Sequence, residues 1–287
     1  MMIMEHAYAF GSSAQLVGIL TDATPSLSSK GLPIILLLNA GLKHRVGPFR
    51  LHVDLARELS GLGFPVFRFD LSGMGDSNNH KDKRSREEQI LSDIQEAMDF
   101  LSSRKGIHNF VVMGLCTGAD NAHKISVRDK RISGAVFLDG YCYPTAGFYL
   151  RKYISGNFRY VPKLFNPVAW WRFIKKISIK LTSDTYATSV HDKREENYYW
   201  TLPPKQKTET ELKLLVARGV RLLYVFSDGF ISNYKDQFVT SFKDVDFGNQ
   251  IQVEFFRDSK HLYPIIADRK RLIGVISDWL QTNFLKT

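Results

Sequence analysis

The strongest chemical signal in the sequence is the run Gly114-Leu115-Cys116-Thr117-Gly118. It follows an apolar segment and opens a helical one, and its spacing is that of a sharp strand-to-helix turn that carries a nucleophile between two glycines. Cysteine stands where serine is usual. The glycines suit a tight, strained turn, and helix amides favour a thiolate and a developing oxyanion. We therefore predict that Cys116 is a nucleophile; the alternative is a small, buried, inert thiol.

A cysteine nucleophile needs a base, and His261 is the best-placed candidate among the eight histidines. It lies a few residues beyond the last predicted strand, so the nucleophile precedes the base along the chain. A solvated loop histidine is the alternative. His6, His80, His108 and His191 have no comparable placement and are interpreted as structural or solvated residues.

An acid that orients the imidazole would complete a catalytic triad. Asp139 follows the strand after the nucleophile turn, where the carboxyl ends of parallel strands collect functional groups. Asp228 follows a later strand, which is the commoner place for the acid, but it comes unusually soon after that strand. We favour Asp139 and keep Asp228 as the alternative acid. Asp258 ranks third because it lies in the same loop as His261.

Oxyanion stabilisation requires two backbone amides near the nucleophile. The amide of Thr117 is one candidate, and the amide of Leu42, in the loop after the first apolar strand, is the other. His44 and Arg45 follow in this loop and are candidate substrate-binding residues. Arg45 suits a substrate carboxylate or the phosphate of a phosphopantetheine arm, and it suits an ion pair with Asp70 equally well.

The elements that must position these residues alternate between strands and helices. The predicted strands are 7–10, 16–20, 33–38, 65–70, 110–114, 132–138, 221–226 and 251–256. The predicted helices are 51–62, 87–103, 117–128 and 268–284. Strands rich in apolar residues on both faces, separated by helices, predict an α/β fold with a mainly parallel sheet flanked by helices.

The alternation fails between residues 143 and 220, which predicts a core of residues 1–142 and 221–287 with an inserted cap at 143–220. Between residues 141 and 220 there are 14 Lys and Arg against 6 Asp and Glu, and 15 of the 36 aromatic residues lie between residues 141 and 200. Such a segment suits nucleic acid, a membrane surface or an acidic protein. The alternative is a lid whose aromatic residues cover a pocket.

Composition narrows the class of protein. The chain has 287 residues, of which 44% are hydrophobic and 24% charged, and its formal net charge is +10. These values are typical of a globular protein. The sequence has no apolar run of membrane-spanning length and no signal-peptide pattern at its start. Two cysteines make neither a disulfide framework nor a structural zinc site. We expect a cytoplasmic protein with free thiols, no cofactor and no metal.

The chain resembles the α/β-hydrolase superfamily, and most of all its cysteine-nucleophile branch. This branch includes exosortase-associated hydrolases and hydrolases encoded beside polyketide and peptide biosynthesis genes. The matching stretches are Leu38–Pro48 (LNAGLKHRVGP), Phe69–Ser77 (FDLSGMGDS), Gly114–Asp120 (GLCTGAD), Leu138–Tyr141 (LDGY) and the loop around His261. The resemblance covers most of the predicted core but not the cap.

The resemblance implies an α/β-hydrolase fold and a Cys–His–Asp triad in which Asp139 is the acid. The pattern is also similar to Dieckmann-type cyclases, which release thioester-bound chains. Lys260 is a departure, because the family more often has an acidic residue before the histidine.

The leading hypothesis is an acyl-transfer enzyme that acts on a thioester or an ester. An acyl group on cysteine is itself a thioester, which amines and carbon nucleophiles attack more readily than water does. The basic cap is a candidate docking surface for an acidic acyl or peptidyl carrier protein, and nucleic acid is not expected as a partner. The alternative is a non-catalytic protein that binds a ligand or a membrane on a hydrolase scaffold.

Overall fold

The computed structural model describes residues 3–24, 31–80, 83–156, 202–227, 232 and 234–285. Its strands are β1 (Glu5–Phe10), β2 (Leu16–Thr21), β3 (Ile34–Leu37), β4 (Val66–Phe69), β5 (Phe110–Leu115), β6 (Ile132–Leu138), β7 (Arg221–Ser227) and β8 (Ile251–Phe256). All eight predicted strands are therefore confirmed, with small differences at their ends.

The described strands form one sheet in the order β1-β2-β4-β3-β5-β6-β7-β8. β1 pairs antiparallel with β2, and β2 pairs antiparallel with β4. From β4 across to β8 every neighbouring pair is parallel. The mainly parallel sheet is confirmed. Because the carboxyl ends of parallel strands share one edge, the loops after β3, β5, β6 and β8 meet there.

The described α-helices cover both faces of this sheet. They are α1 (Leu51–Gly61), α2 (Arg86–Lys105), α3 (Thr117–Arg128), α4 (Ala146–Gly156), α5 (Lys205–Ala217), α6 (Gln237–Ser241) and α7 (Ile266–Leu280). A π-helical turn, Gln281–Leu285, follows α7, so the predicted C-terminal helix ends in altered geometry. A 3₁₀ turn, Pro48–Arg50, precedes α1.

The core lies in two layers, one on each side of the sheet. Leu36 packs into the layer that contains apolar residues of α2, α3 and α5. Its neighbour Leu37 packs into the opposite layer, with α1 and α7. Successive strand residues point to opposite faces, so a continuous apolar run such as β3 requires a helix layer on each side.

The predicted cap falls partly outside the described residues, which stop at 156 and resume at 202. Helix α5 forms the C-terminal end of the predicted cap and lies against α3. Leu212 and Leu215 of α5 are fully buried in the core. Tyr143 donates a hydrogen bond to the Pro203 carbonyl at 2.7 Å, which ties the two flanks of the segment together. The proposed boundaries of core and cap remain a prediction.

Each described helix is too short or too polar to cross a membrane.

Candidate active site

Cys116 occupies the junction between β5 and α3 with φ 57° and ψ −121°. A positive φ is uncommon for a residue with a side chain and has to be held by its surroundings. The Cys116 amide donates to the Leu138 carbonyl at 2.9 Å, and the Cys116 carbonyl accepts from the amides of Ala119 at 2.8 Å and Asp120 at 3.2 Å. The first bond holds the turn against the end of β6, and the other two hold it against the first turn of α3. The side chain is only partly buried, as a nucleophile requires.

The two glycines of the motif are required by close backbone contact. A Cβ atom at position 114 would lie 2.0 Å from the Gly118 carbonyl oxygen. One at position 118 would lie 2.6 Å from the Asn39 carbonyl oxygen. Neither glycine has a positive φ, so the strain of the turn falls on Cys116 alone. The glycines thus allow α3 to approach β5 and the loop after β3, a different reason from the turn geometry that the sequence suggested.

His261 and Asp139 lie in direct contact. Their hydrogen bond joins Nδ1 of His261 to Oδ2 of Asp139 at 2.6 Å. The Asp139 side chain is fully buried, and it also accepts from Ser227, through the backbone amide at Oδ1 and the hydroxyl at Oδ2, both at 2.7 Å. Three donors therefore fix the carboxylate, and the carboxylate fixes the imidazole ring.

Burial, Asp139 and Cys116 all affect the pKa of His261. Burial lowers this pKa, but hydrogen bonds to Asp139 and to Cys116, together with their negative charges, outweigh burial and raise it to about 9. The imidazole therefore carries a proton at neutral pH.

The two candidate oxyanion donors lie in segments that are bonded to each other. The amide of Gly41, next to Leu42, donates to the hydroxyl of Thr117 at 2.8 Å. Within the described part of the chain, neither the Leu42 amide nor the Thr117 amide donates a hydrogen bond to a protein acceptor. Backbone amides without a protein acceptor are the kind of donor that an oxyanion hole uses.

Arg45 is engaged inside the protein. Its guanidinium forms ion pairs with Asp70, which is fully buried, and with Asp76 at 2.6 Å. Of the two roles considered for Arg45, the structure shows the ion pair with Asp70, and a substrate anion would have to compete with two carboxylates. His44 is exposed, and its Nδ1 accepts from the Val46 amide at 3.4 Å.

The structure describes only one of the other two candidate acids. Asp228 lies outside the described residues, and Asp258 is exposed on the loop before His261. Sequence reasoning missed Ser227, which contacts both oxygens of Asp139. Ser227 ends β7, and only the pairing of β7 with β6 brings it to Asp139. Nothing local in the sequence signals this contact.

A family model matches much of this chain. The family described as serine aminopeptidase, S33, matches residues 36–199, more than half of the chain. No protein of curated function matches the sequence significantly.

Solved structures match along nearly the whole chain at low sequence identity. An esterase of Pyrococcus furiosus is 14% identical, with 99% of this chain and 92% of that chain covered and a TM-score of 0.59. Est1E of Butyrivibrio proteoclasticus is 12% identical, with coverage of 98% and 99% and a TM-score of 0.58. The proline iminopeptidase of Mycobacterium smegmatis is 13% identical, with coverage of 98% and 99% and a TM-score of 0.55. At identities this low, the structural similarity shows a shared fold and nothing more.

Proposed function

Because the chain belongs to the serine aminopeptidase (S33) family and has the α/β-hydrolase fold, we propose that it is an acyl-transfer enzyme with a cysteine nucleophile. The observation that carries the proposal is the chain of contacts from the buried Asp139 through His261 to Cys116, at a turn that holds the cysteine in a strained conformation. An adjacent base of this kind activates a thiol as a nucleophile, and a merely structural cysteine needs no such partners.

In the proposed reaction, the sulfur of Cys116 attacks the carbonyl carbon of a thioester or an ester. A carbon–sulfur bond forms and the carbonyl oxygen becomes an oxyanion, which the amides of Leu42 and Thr117 stabilise. The oxyanion then collapses and expels the leaving thiol or alcohol, which takes the proton from His261. The acyl group remains on Cys116 as a thioester.

Transfer to an acceptor completes the cycle. The acceptor gives a proton to His261 and attacks the acyl carbon, and the Cys116 thiolate leaves. Because the intermediate is a thioester, amine and carbon nucleophiles compete well with water, which favours transfer or cyclisation over simple hydrolysis. Asp139 keeps its charge throughout and stabilises the imidazolium.

Mass spectrometry of the intact protein tests the proposal. We expect incubation with a panel of acyl thioesters to add one acyl mass to the wild-type protein, at Cys116, and the Cys116→Ala variant to stay unmodified. An added amine should discharge the loaded protein faster than water does. A wild-type protein that turns over thioesters without any acyl adduct, even on rapid quenching, would contradict covalent catalysis. A protein that neither loads nor reacts with iodoacetamide would support a non-catalytic binding scaffold.

We also propose an acidic carrier protein as the donor of the acyl group. The support is the excess of basic residues between residues 141 and 220, 14 against 6 acidic ones. Salt screens exposed charges beyond about 8 Å at physiological ionic strength. Raising the salt concentration should therefore raise the KM for a carrier-bound thioester more than the KM for a small thioester with the same acyl group. Equal salt dependence for the two substrates would support a lid without a docking role.

A further inference from the structure

We propose that the side-chain hydroxyl of Thr117 positions the oxyanion hole by holding the loop that carries Leu42 against the nucleophile turn. This inference rests on the proposed acyl transfer and adds to it a residue that acts through another group. The backbone amide of Thr117 is a proposed oxyanion donor in its own right. The hydroxyl of the same residue, which does not contact the reacting atoms, sets the place of the second donor.

The contact that carries the inference is a single hydrogen bond across the site. The Gly41 amide donates to the Thr117 hydroxyl at 2.8 Å, although the two residues are 76 positions apart in sequence. The loop itself makes a turn in which the Lys43 amide donates to the Ala40 carbonyl at 3.0 Å. The two amides inside this turn, at positions 41 and 42, therefore have different roles. The first donates to the Thr117 hydroxyl in the nucleophile turn, and the second has no protein acceptor in the described part of the chain.

The far side of the same turn is fixed by other residues. The side-chain amide of Asn39 donates to the Lys43 carbonyl at 2.7 Å, and the Arg45 amide donates to the buried carboxylate of Asp70 at 2.6 Å. These bonds attach the base of the loop to β3 and β4. They do not reach α3. Gly118 packs closely on the Asn39 carbonyl at the base of the loop, and the Thr117 hydroxyl is the hydrogen-bond acceptor that holds the tip of the loop, at Gly41, to α3.

This distance matters because an oxyanion hole is effective only when its donors stand about 2.7–3.1 Å from the developing charge. Removing one donor altogether costs about 10²- to 10³-fold in rate. Misplacing a donor should lower the rate less than removing it does. We expect a loss of about 10- to 100-fold in the acylation rate when the Thr117 hydroxyl is removed, with little change in substrate KM.

The test compares two reactions of Cys116, of which only one needs an oxyanion hole. Acyl loading from a short acyl N-acetylcysteamine thioester passes through a tetrahedral oxyanion. Alkylation by iodoacetamide displaces iodide at a saturated carbon and forms no such charge. The variants are Thr117→Val, which keeps the shape and loses the hydroxyl, and Thr117→Ser, which keeps the hydroxyl. Thr117→Ala is the second hydroxyl-free variant in case valine prevents folding.

We expect Thr117→Val to load about 10- to 100-fold more slowly than the wild type, Thr117→Ser to load within about threefold of it, and all variants to be alkylated within about twofold. Loading of the hydroxyl-free variants at the wild-type rate would overturn the role of Thr117. Equal losses in loading and alkylation would also overturn it, because the damage would then lie in the thiolate. A wild-type protein that is alkylated but never loaded would instead overturn the proposed function itself.

Discussion

Replacing Cys116 with alanine is expected to lower turnover by about 10⁴-fold or more while the protein stays folded. The methyl group retains the Cβ of the residue but supplies no nucleophile, so the covalent route is lost. Activity measured under single-turnover conditions, together with a thermal unfolding curve, checks both halves of this expectation. A variant that kept more than about a tenth of the wild-type rate would show that Cys116 does not carry the reaction.

The second cysteine of the chain supplies a matched control. Cys142 is fully buried, and burial raises the pKa of its thiol to about 12, although hydrogen bonds with neighbours such as Ser241 oppose this. The thiol is therefore protonated and shielded from solvent at neutral pH, which makes it unreactive. Cys142→Ala should retain turnover close to that of the wild type and lose stability through the small cavity that it creates.

Cys116→Ser is the more informative variant, because the family that the chain belongs to is described as serine aminopeptidase. Serine would give an ester instead of a thioester as the acyl-enzyme. We expect transfer to an amine to slow and the share of product released by water to rise. An unchanged ratio of transfer to hydrolysis would show that the nucleophile does not set the acceptor preference.

Most of the fold could be predicted from local sequence, because its main signals are local. β3 and β5 are apolar on both faces, which is specific to strands enclosed between helix layers. The nucleophile turn is predictable because Gly114 and Gly118 flank Cys116 at a fixed spacing, and its strained geometry follows from the junction between β5 and α3. The position of Asp139 at the end of a strand favours it as the acid, and the structure brings it to His261. The catalytic roles of these residues remain predictions.

The contacts that sequence reasoning missed are all between distant segments. Ser227 reaches Asp139 only because β7 pairs with β6, and the Thr117 hydroxyl reaches Gly41 only because β5 pairs with β3. Strand order depends on the packing of the whole sheet. For Arg45 the sequence offered two partners, and the choice of Asp70 depends on the approach of β4 to β3. Hydrogen bonds of this kind leave no periodic pattern in the chain.

Asp139→Asn is expected to lower the acylation rate by at least about 100-fold, although the substitution changes the side chain by one atom. The wild-type carboxylate accepts three hydrogen bonds, two from Ser227 and one from Nδ1 of His261. An asparagine has one oxygen and one NH₂ group in the same place. If the NH₂ group faces His261, the imidazole must present an unprotonated Nδ1, and the proton moves to the ring nitrogen that should serve Cys116. If it faces the Ser227 amide instead, two donors collide in a buried site, which costs about 1–3 kcal/mol.

The pH profile gives an independent readout of the same variant. In the wild type the pKa of His261 is raised to about 9, so the imidazolium is present below that pH and is lost as the pH rises through it. A step that needs the imidazolium, such as protonation of the leaving group, should therefore fail on the alkaline side. Asp139 contributes to raising this pKa, so Asp139→Asn should lower it and move the alkaline loss of kcat/KM to lower pH.

Asp228→Asn is the control that decides between the two acids. We expect it to lower the acylation rate by less than about tenfold. The reverse order of effects would make Asp228 the triad acid and Asp139 a structural residue that holds the end of β7. The contact geometry argues against that reverse order. A carboxylate that only bound the Ser227 amide and hydroxyl would have no need of His261, yet the His261 ring lies 2.6 Å from the oxygen that also accepts from the Ser227 hydroxyl. A shift of the alkaline limb in Asp139→Asn, without one in Asp228→Asn, would assign the role to Asp139 even if both variants were slow.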